Sequence, residues 1–439
     1  MAVKVCKFGG TSMADGNVMN AVKKIILSDE SRKYVVVSAP GKRFSGDIKV
    51  TDLLYSCYDE LKRTGSCDAA FAKVRTRFES IVKELNLPMD ITSILNETQR
   101  RLVEEKSEDF AASRGEYLSA RVMAVLLGAT FIDCEDVVFF NEEGQLDGEK
   151  TYKAISKAVE GLDMAVFPGF YGKAANGRVK TFSRGGSDIT GAIVARAVNA
   201  SVYENWTDVS GFLACDPRIV DNPRHIKNLS YKELFELSYM GANVLHSDSI
   251  FPVRKANIPI LIKNTFRPED DGTSIIPISQ YKPEGNIVTG IAGKKNFTVI
   301  LIEKTHMNSE IGFVRKVLSV LERENIPVEH IPSGIDTMSV VFDSKYAKDY
   351  KLERVIDGIK NDVEPDIIRV MENVALIATV GHGMSSSIGT SARLFKAMAQ
   401  ANINAKLIDQ GSSELSITVG VRNEDCEKCI SAIYHEFFS

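Results

Sequence analysis

Apolar and polar positions alternate along Ala2-Val3-Lys4-Val5-Cys6, with Val3 and Val5 on one face, which predicts a short β-strand. Val18, Ala21, Val22, Ile25 and Ile26 then recur at helical spacing. Between them lies Lys7-Phe8-Gly9-Gly10-Thr11-Ser12, a strand that ends in a lysine, two glycines that turn the chain, and a helix start. Tyr34-Val35-Val36-Val37-Ser38-Ala39 is a continuous apolar run, the pattern of a strand buried on both faces. Residues 40–46 read as exposed loop, and Thr51-Asp52-Leu53-Leu54 opens a helix with Thr51 as its N-cap. From 53 to 127 the pattern is helical and charge-rich, broken at Asn86-Leu87-Pro88; its last helix is expected to start at Glu116, after Ser113-Arg114-Gly115. Strands are predicted at 131–134 and 165–167, followed by the turn Pro168-Gly169-Phe170-Tyr171-Gly172. A helix carrying Ala192, Ile193, Ala195, Ala197 and Val198 follows Arg184-Gly185-Gly186-Ser187-Asp188, with Asp188 as its cap or in its first turn. Residues 200–206 form one more strand, ending in Thr207-Asp208.

Strands that alternate with helices in this way predict an α/β fold, a mostly parallel open sheet with helices on both faces. Ligands bind such sheets beyond the carboxyl ends of the strands. Lys7, Ser38, the 168–172 turn and Thr207-Asp208 all occupy ends of that kind.

Between 267 and 285 the composition shifts to Pro268, Glu269, Asp270, Asp271, Gly272, Pro277, Pro283 and Gly285, a domain end and linker. An internal repeat follows. A shift of 77 pairs Met307 with Met384, Ser309 with Ser386, Gly312 with Gly389, Asn325-Ile326 with Asn402-Ile403, Gly334 with Gly411 and Ser339 with Ser416, without a gap. Each copy reads strand, loop, helix, strand, turn, strand, helix, an α+β unit of about 70 residues. Two copies are too few for a solenoid and suit a pseudo-symmetric pair. A strand near 286–291 precedes the first copy, so the two units are expected to interleave in sequence. The expected division is 1–280 for the α/β domain, 281–296 for linker and first strand, 297–370 for the first unit and 371–439 for the second.

Net charge is −4 at pH 7, which leaves no electrostatic footprint for nucleic acid or an anionic membrane. No apolar run reaches the roughly 18 residues of a membrane helix, and no signal peptide opens the chain. Seven cysteines in no disulfide-like pattern favour a reducing compartment, the cytoplasm. Cys426 and Cys429 form a CxxC, but without a second pair or a nearby histidine it reads as part of an amphipathic helix.

The phosphate-friendly turn at Gly9-Gly10 is not a Walker A loop, because Lys7 precedes the glycines. No GxGxxG, HExxH, GxSxG or HRD motif is present, and the six histidines form no ligand-spaced cluster, so no metal site is expected. What remains is a set of positioning groups. Arg184 beside Gly185-Gly186 suits a bidentate carboxylate. Glu116 is a first-turn charge or a partner for an ammonium. Asp188 and Asp208 orient Lys7, approach a metal–phosphate complex, or are ordinary caps. Asp216-Pro217-Arg218 reads as a turn that frees the arginine for a phosphate or an adenine ring. The combination suits phosphoryl transfer to a carboxylate. Such an acceptor is ionised at neutral pH and needs alignment and charge screening, not a general base.

In these motifs, and in this order along the whole chain, the sequence resembles the aspartokinases, of the amino acid kinase fold, and its repeat resembles their tandem C-terminal ACT (βαββαβ) domains. The carrying stretches are Lys7 to Ser12, Val36-Val37-Ser38-Ala39, Thr51-Asp52-Leu53-Leu54, Gly115-Glu116, Gly169-Phe170, Arg184-Gly185-Gly186-Ser187-Asp188, Trp206-Thr207-Asp208-Val209 and Asp216-Pro217-Arg218. The resemblance implies ATP-dependent phosphorylation of the L-aspartate side chain to 4-phospho-L-aspartate, opening the route to lysine, threonine and methionine, with Mg2+ accompanying ATP. It places Lys7 at the transferring phosphate beside Gly9 and Gly10, with Asp188 organising the centre. Thr51, Glu116 and Arg184 would bind aspartate, Glu116 at its amino group and Arg184 at its α-carboxylate, with Ser38, Phe170, Gly185, Gly186 and Ser187 lining the site. Thr207, Asp208 and Arg218 would hold ATP. Met307, Gly312, Phe313, Val328, Glu329 and Asp336 would surround an effector, lysine or threonine or both. The resemblance also implies a monofunctional enzyme that forms a homodimer or tetramer through its ACT units. Two positions depart from the family pattern: Leu213 stands where an aromatic is expected and Asn243 where a lysine is expected, with Lys263 a nearby candidate for that charge.

Overall fold

The structure is a computed structural model that describes residues 2–183, 185–242, 245, 247–281 and 286–438, with Ser247 and Asp248 described by their backbone. The chain forms two compact units. The first comprises Met1–Phe212, Ile226–Leu234 and Asn243–Tyr281; the second comprises Leu213–His225, Phe235–Ala242 and Lys282–Ser439. Residues 213–225 and 235–242 thus belong with the C-terminal unit, a division that a contiguous reading of the sequence does not show. Among the described residues no helix is long and apolar enough to cross a membrane.

The first unit is built on an eight-stranded sheet: β1 (Lys4–Phe8), β2 (Arg32–Val37), β3 (Thr130–Phe131), β4 (Ala165–Pro168), β5 (Val202–Thr207), β6 (Asn228–Ser230), β7 (Ile260–Asn264) and β8 (Thr273–Ile276), in the order β6-β8-β7-β5-β1-β2-β4-β3. Only the β7–β8 pairing is antiparallel. Successive side chains of a strand point to opposite faces. Val35, Val36 and Val37 are all fully buried, so both faces of the sheet are covered. Helix α1 (Gly16–Leu27) follows β1, α2 (Val50–Thr64) follows β2, and α3 (Asp68–Glu84) and α4 (Ile91–Glu105) lead to α5 (Glu108–Leu127). Helix α6 (Gly186–Ala197) precedes β5.

Three expected boundaries move. Helix α2 starts at Val50 with Lys49 at the N-cap, so Thr51 is its second residue and not its cap. Its start is set by burial of Val50 and by the Val50 N–H bond to the Pro40 carbonyl (3.0 Å), not by a side-chain cap. Helix α5 begins at Glu108, capped by Ser107, whose hydroxyl accepts from the Phe110 N–H at 3.3 Å. Glu116 therefore sits inside a 20-residue helix rather than at its start. Gly115 does not open that helix but lets it approach the chain after β2: a Cβ there would lie 2.6 Å from the Ala39 Cβ. The expected strand at 131–134 shortens to Thr130–Phe131, because Asp133 caps the short helix Cys134–Val137.

The second unit carries a five-stranded sheet of β9 (Gly290–Glu303), β10 (Thr337–Asp343), β11 (Ile367–Val380), β12 (Leu407–Asp409) and β13 (Ser416–Arg422), in the order β10-β9-β11-β13-β12. Helices α7 (Phe313–Arg323), α8 (Lys351–Val363), α9 (Thr390–Gln400) and α10 (Cys426–Phe438) complete it. The 77-residue repeat extends to backbone angles: φ is +72° at Asn296 and +58° at Asn373, +84° at Gly312 and +87° at Gly389, +54° at Asn325 and +55° at Asn402. Register shifts near Asn296 divide the long strand. Residues 290–294 pair with 376–380, whereas 297–303 pair with β10 and with 367–374. The strand expected after the first helix of this repeat does not form at Val328-Glu329, and the segment meets β10 through an isolated bridge, His330 to Val341. Cys426 and Cys429 are free and buried in α10, their thiols pushed up by burial to about 11 and about 12, so they pack and stay protonated.

Candidate active site

The carboxyl ends of four neighbouring strands meet at the Gly9-Gly10 turn. Gly9 N–H donates to the Trp206 carbonyl (3.0 Å), Ser38 N–H to the Phe8 carbonyl (3.1 Å) and Gly169 N–H to the Val37 carbonyl (3.0 Å). These bonds place Gly9, Ser38, Gly169 and Thr207 around one point above the sheet. Lys7, the penultimate residue of β1, stands beside Asn205 of β5 in parallel register. Its ammonium, nearly buried, lies 2.6 Å from the Asp188 carboxylate, and Asn205 Nδ2 donates to the same oxygen at 2.9 Å. Tyr203 Oη holds the Asp188 carbonyl at 3.0 Å. Asp188 lies in the first turn of α6, where the helix N-terminus favours a negative charge. Gly185 is the N-cap with φ +79°, and a Cβ there would lie 2.6 Å from the Ser249 Cβ, so glycine is required on both counts.

Gly169 packs directly on α6, since a Cβ would fall 2.3 Å from Ser187 Cβ and Oγ. Phe170 follows with φ +81°, a strained value for a bulky residue. Two bonds hold it there: its N–H donates to Thr190 Oγ1, and its carbonyl accepts from the Phe182 N–H, both at 2.9 Å. Ser187 is 5 % exposed and its hydroxyl has no partner among the described residues.

Glu116 is almost wholly buried on α5, and its Oε2 has no hydrogen-bond partner among the described residues. Burial raises its carboxyl to about 8; the Ala39 N–H and the charges of Arg114 and Lys7 oppose that rise only in part. Two residues earlier, Arg114 is equally buried, its guanidinium over the rings of Phe110 (4.3 Å), Tyr117 (4.6 Å) and Tyr171 (5.0 Å). A buried carboxyl without a cationic hydrogen-bond partner fits an incoming ammonium group better than a structural charge.

Thr207 and Asp208 stand at the end of β5, their side chains joined at 3.2 Å. Arg218 belongs to the second unit. It is not free as the turn suggested: its guanidinium forms an ion pair with Asp216 at 2.6 Å, because two residues of the same tight turn face each other. Lys263 donates to the Asp270 carbonyl and lies 5.7 Å from the Trp206 ring, which ties it to the fold. Leu213 is partly exposed. Arg184 and Asn243 lie outside the described residues.

In the second unit, the expected effector residues separate by environment. Met307 and Phe313 are buried in the core of the first repeat with Ile300, Val317 and Met338, and Val328 packs on that core. Asp336 is exposed and accepts from the His306 N–H at 3.0 Å, while its carbonyl accepts from Lys304 N–H at 2.9 Å. Glu329 N–H donates to the Val341 carbonyl at 2.8 Å, and Gly312 is the left-handed N-cap of α7.

Reading the sequence alone misses Asn205, Tyr203 and Arg114. A signal existed for the first: Glu204-Asn205 are polar residues in a strand whose neighbours demand burial on both faces.

A lysine before a glycine turn, at the centre of a parallel sheet, places the chain among the amino acid kinases: residues 2–264 match the amino acid kinase family, and 377–437 match an ACT domain. The chain is 38 % identical to Aspartokinase 3 of Bacillus subtilis over 452 residues, covering 100 % of the chain and 99 % of that relative. The crystal structure of Clostridium acetobutylicum aspartate kinase superposes with a TM-score of 0.91 at 49 % identity, covering all of both chains. E. coli aspartokinase III, likewise covered in full, matches in its complex with aspartate and ADP (TM-score 0.78, 25 % identity) and with lysine and aspartate (TM-score 0.75, 26 %). The chain belongs to the aspartokinases and is an aspartate kinase.

Proposed function

We propose that the reaction is ATP + L-aspartate → ADP + 4-phospho-L-aspartate, carried out at the Lys7–Asp188–Asn205 cluster. The observation that supports it best is Glu116: a buried carboxyl with an unmatched oxygen close to the lysine-centred turn suits an amino acid's ammonium group. The aspartate β-carboxylate attacks the γ-phosphorus, and the bond to the β–γ bridging oxygen breaks. No proton has to move, so no general base is required. Lys7 screens the two anions and stabilises charge on the transferring group; Asp188 fixes its ammonium in place, and Asn205 fixes Asp188. Thr51 and Ser38 flank the acceptor with Phe170, Gly185, Gly186 and Ser187; Arg184 is assigned to the α-carboxylate and Thr207 and Asp208 to ATP.

Among the described residues no three His, Cys, Asp or Glu side chains converge as a metal cage. Mg2+ is commonly held by one or two carboxylates plus substrate phosphates, and the first turn of α6 and the end of β5 each offer one carboxylate. Asp188 and Asp208 would be its protein partners, and the ion would supply further charge screening when bound with ATP.

The proposal extends to regulation by lysine or threonine at the first ACT copy, to assembly as a homodimer or tetramer, to a cytoplasmic setting, and to a catalytic domain of 1–280 with ACT units at 297–370 and 371–439. The lysine complex of the E. coli relative supports the effector class. The test is an aspartate-dependent hydroxamate assay with ATP and Mg2+, without effector and with lysine and threonine separately and together. Aspartate-dependent product that falls with either amino acid is expected; no such product without effector sinks the reading.

A further inference from the structure

The segment between β2 and α2 is an exposed strap with a buried anchor. Residues 42–46 face solvent. Arg77 of α3, 5 % exposed, reaches the strap from inside with three bonds. Its Nη1 donates to the Gly41 carbonyl (3.1 Å), and its Nη2 donates to the Asp47 carboxylate (2.7 Å) and the Ile48 carbonyl (3.2 Å). Arg43 closes the strap on itself, bonding Asp47 through Nε at 2.8 Å and through its backbone N–H at 3.0 Å. The anchored end, Gly41, lies backbone to backbone on the phosphate turn: its N–H donates to the Gly10 carbonyl at 2.7 Å, and a Cβ on it would fall 2.7 Å from the Gly10 carbonyl carbon. The other end leads into Val50 and Thr51 at the start of α2. The same helix α3 also secures the far side of the turn, where Glu84 Oε2 accepts from Gly16 N–H, the first residue of α1, at 2.9 Å.

We infer that Arg77 is a positioning residue for phosphoryl transfer: through Gly41 it fixes the Gly9-Gly10 turn, and through Asp47 and Ile48 it fixes the entry to Thr51, setting the distance between the two substrates. The inference rests on the proposed reading that Gly9-Gly10 receives the transferring phosphate and that Thr51 faces aspartate. The physical argument is the choice of acceptors. A buried guanidinium that serves only stability is replaceable by apolar packing. Arg77 instead binds two loop carbonyls and a loop carboxylate, which no apolar side chain replaces, and its planar fork spans them where a lysine's point charge cannot. Alignment errors of about an ångström between reactants cost on the order of a hundredfold in rate. Arg77 touches neither substrate position, so its effect passes through the strap.

The variants are Arg77→Lys, Asp47→Asn and the two combined, each measured in three ways: kcat with the KM for aspartate and for ATP, the thermal midpoint, and the rate of tryptic cleavage after the strap residues Lys42, Arg43 and Lys49. The expected result for Arg77→Lys is strap cleavage about tenfold faster or more, kcat lower by about 10- to 100-fold and a raised KM for aspartate, with the protein still folded. Because both residues act in one clasp, the double variant is expected to lose no more than the worse single variant. Unchanged strap cleavage overturns the inference. So does a lowered thermal midpoint with kcat and both KM values intact, the signature of a merely structural role. A wild-type protein without aspartate-dependent turnover would refute the functional reading instead, and the cleavage rates still decide whether Arg77 holds the strap.

Discussion

At the scale of single residues, the site is a competition between charge and burial. Lys7 is held by Asp188, which Asn205 holds in turn, so its replacement by methionine leaves a partly buried carboxylate without its cation, yet the backbone turn stays anchored by Gly9 and Trp206. The expected outcome is a kcat lower by about 10²-fold or more, since donors to the transferring group commonly contribute several kcal/mol. A coupled ADP assay checks it, and near-normal turnover refutes the role of Lys7. Glu116 presents the opposite case. Its carboxyl is raised from 4.5 to about 8, chiefly by burial, so the folded, unliganded protein holds that proton more tightly than the unfolded chain does. The associated stability is complete below about 4.5 and is lost as pH rises through about 8. The unliganded wild type should therefore lose thermal stability between pH 5 and 8.5 more steeply than Glu116→Gln, and aspartate should restore it. The same variant should raise the KM for aspartate about 10- to 100-fold, the worth of a hydrogen bond to a charged group. Parallel pH–melting curves for the two proteins would count against a buried, proton-holding Glu116. Lys7 and Glu116 were legible as candidates because each sits in a stretch that carries the family resemblance. Asn205, Tyr203 and Arg114 were not, because their roles depend on which strand or ring lies alongside, a fact of register and packing.

At the scale of elements, what the sequence concealed was where helices begin. A 75-residue helical pattern over 53–127 carries its periodicity plainly, but a start is a local contest between caps and tertiary bonds. Ser107, followed by Glu108 and Asp109, was a legible cap signal. Gly115 offers a competing signal, because a glycine before a charged residue resembles a boundary. The structure gives Gly115 another purpose, the close passage of α5 against Ala39, next to Ser38 at the site. Two magnitudes oppose each other when it becomes alanine. Helix propensity favours alanine by about 1 kcal/mol. Overpacking at 2.6 Å, against a short side chain with little freedom to move, costs about 1–3 kcal/mol. Gly115→Ala should therefore be destabilised in urea unfolding and, because Ala39 must shift, should also turn over more slowly. A more stable variant would show that the contact relaxes freely.

At the scale of the whole molecule, the repeat was legible because symmetry conserves backbone strain as well as side chains: matched positions 77 apart share left-handed angles at three pairs of sites. How the strands are shared was less so, since residues 290–294 and 297–303 belong to one continuous strand and only pairing separates them. The two copies are alike in fold and unlike in chemistry. In the first, the 304–308 segment is laced to 335–336 by the bonds from Lys304, His306 and Asn308, with Glu329 and Asp336 nearby in sequence as anionic groups. At the matching positions of the second copy stand Lys406 and Ser413, and Thr390 replaces Phe313. An amino-acid effector carries an ammonium group that requires an acceptor, and at these two matched positions the carboxylates stand in the first copy. The prediction is one effector per chain by titration calorimetry, with hydrogen exchange slowed at 304–313 and 328–336 and unchanged at 381–390 and 405–413. Lysine and threonine are run separately, because the acceptors match the ammonium common to both, while the rest of each side chain decides which binds. Two effectors per chain, or equal protection of both copies, would falsify the idea that the repeat has divided into one sensing copy and one structural copy.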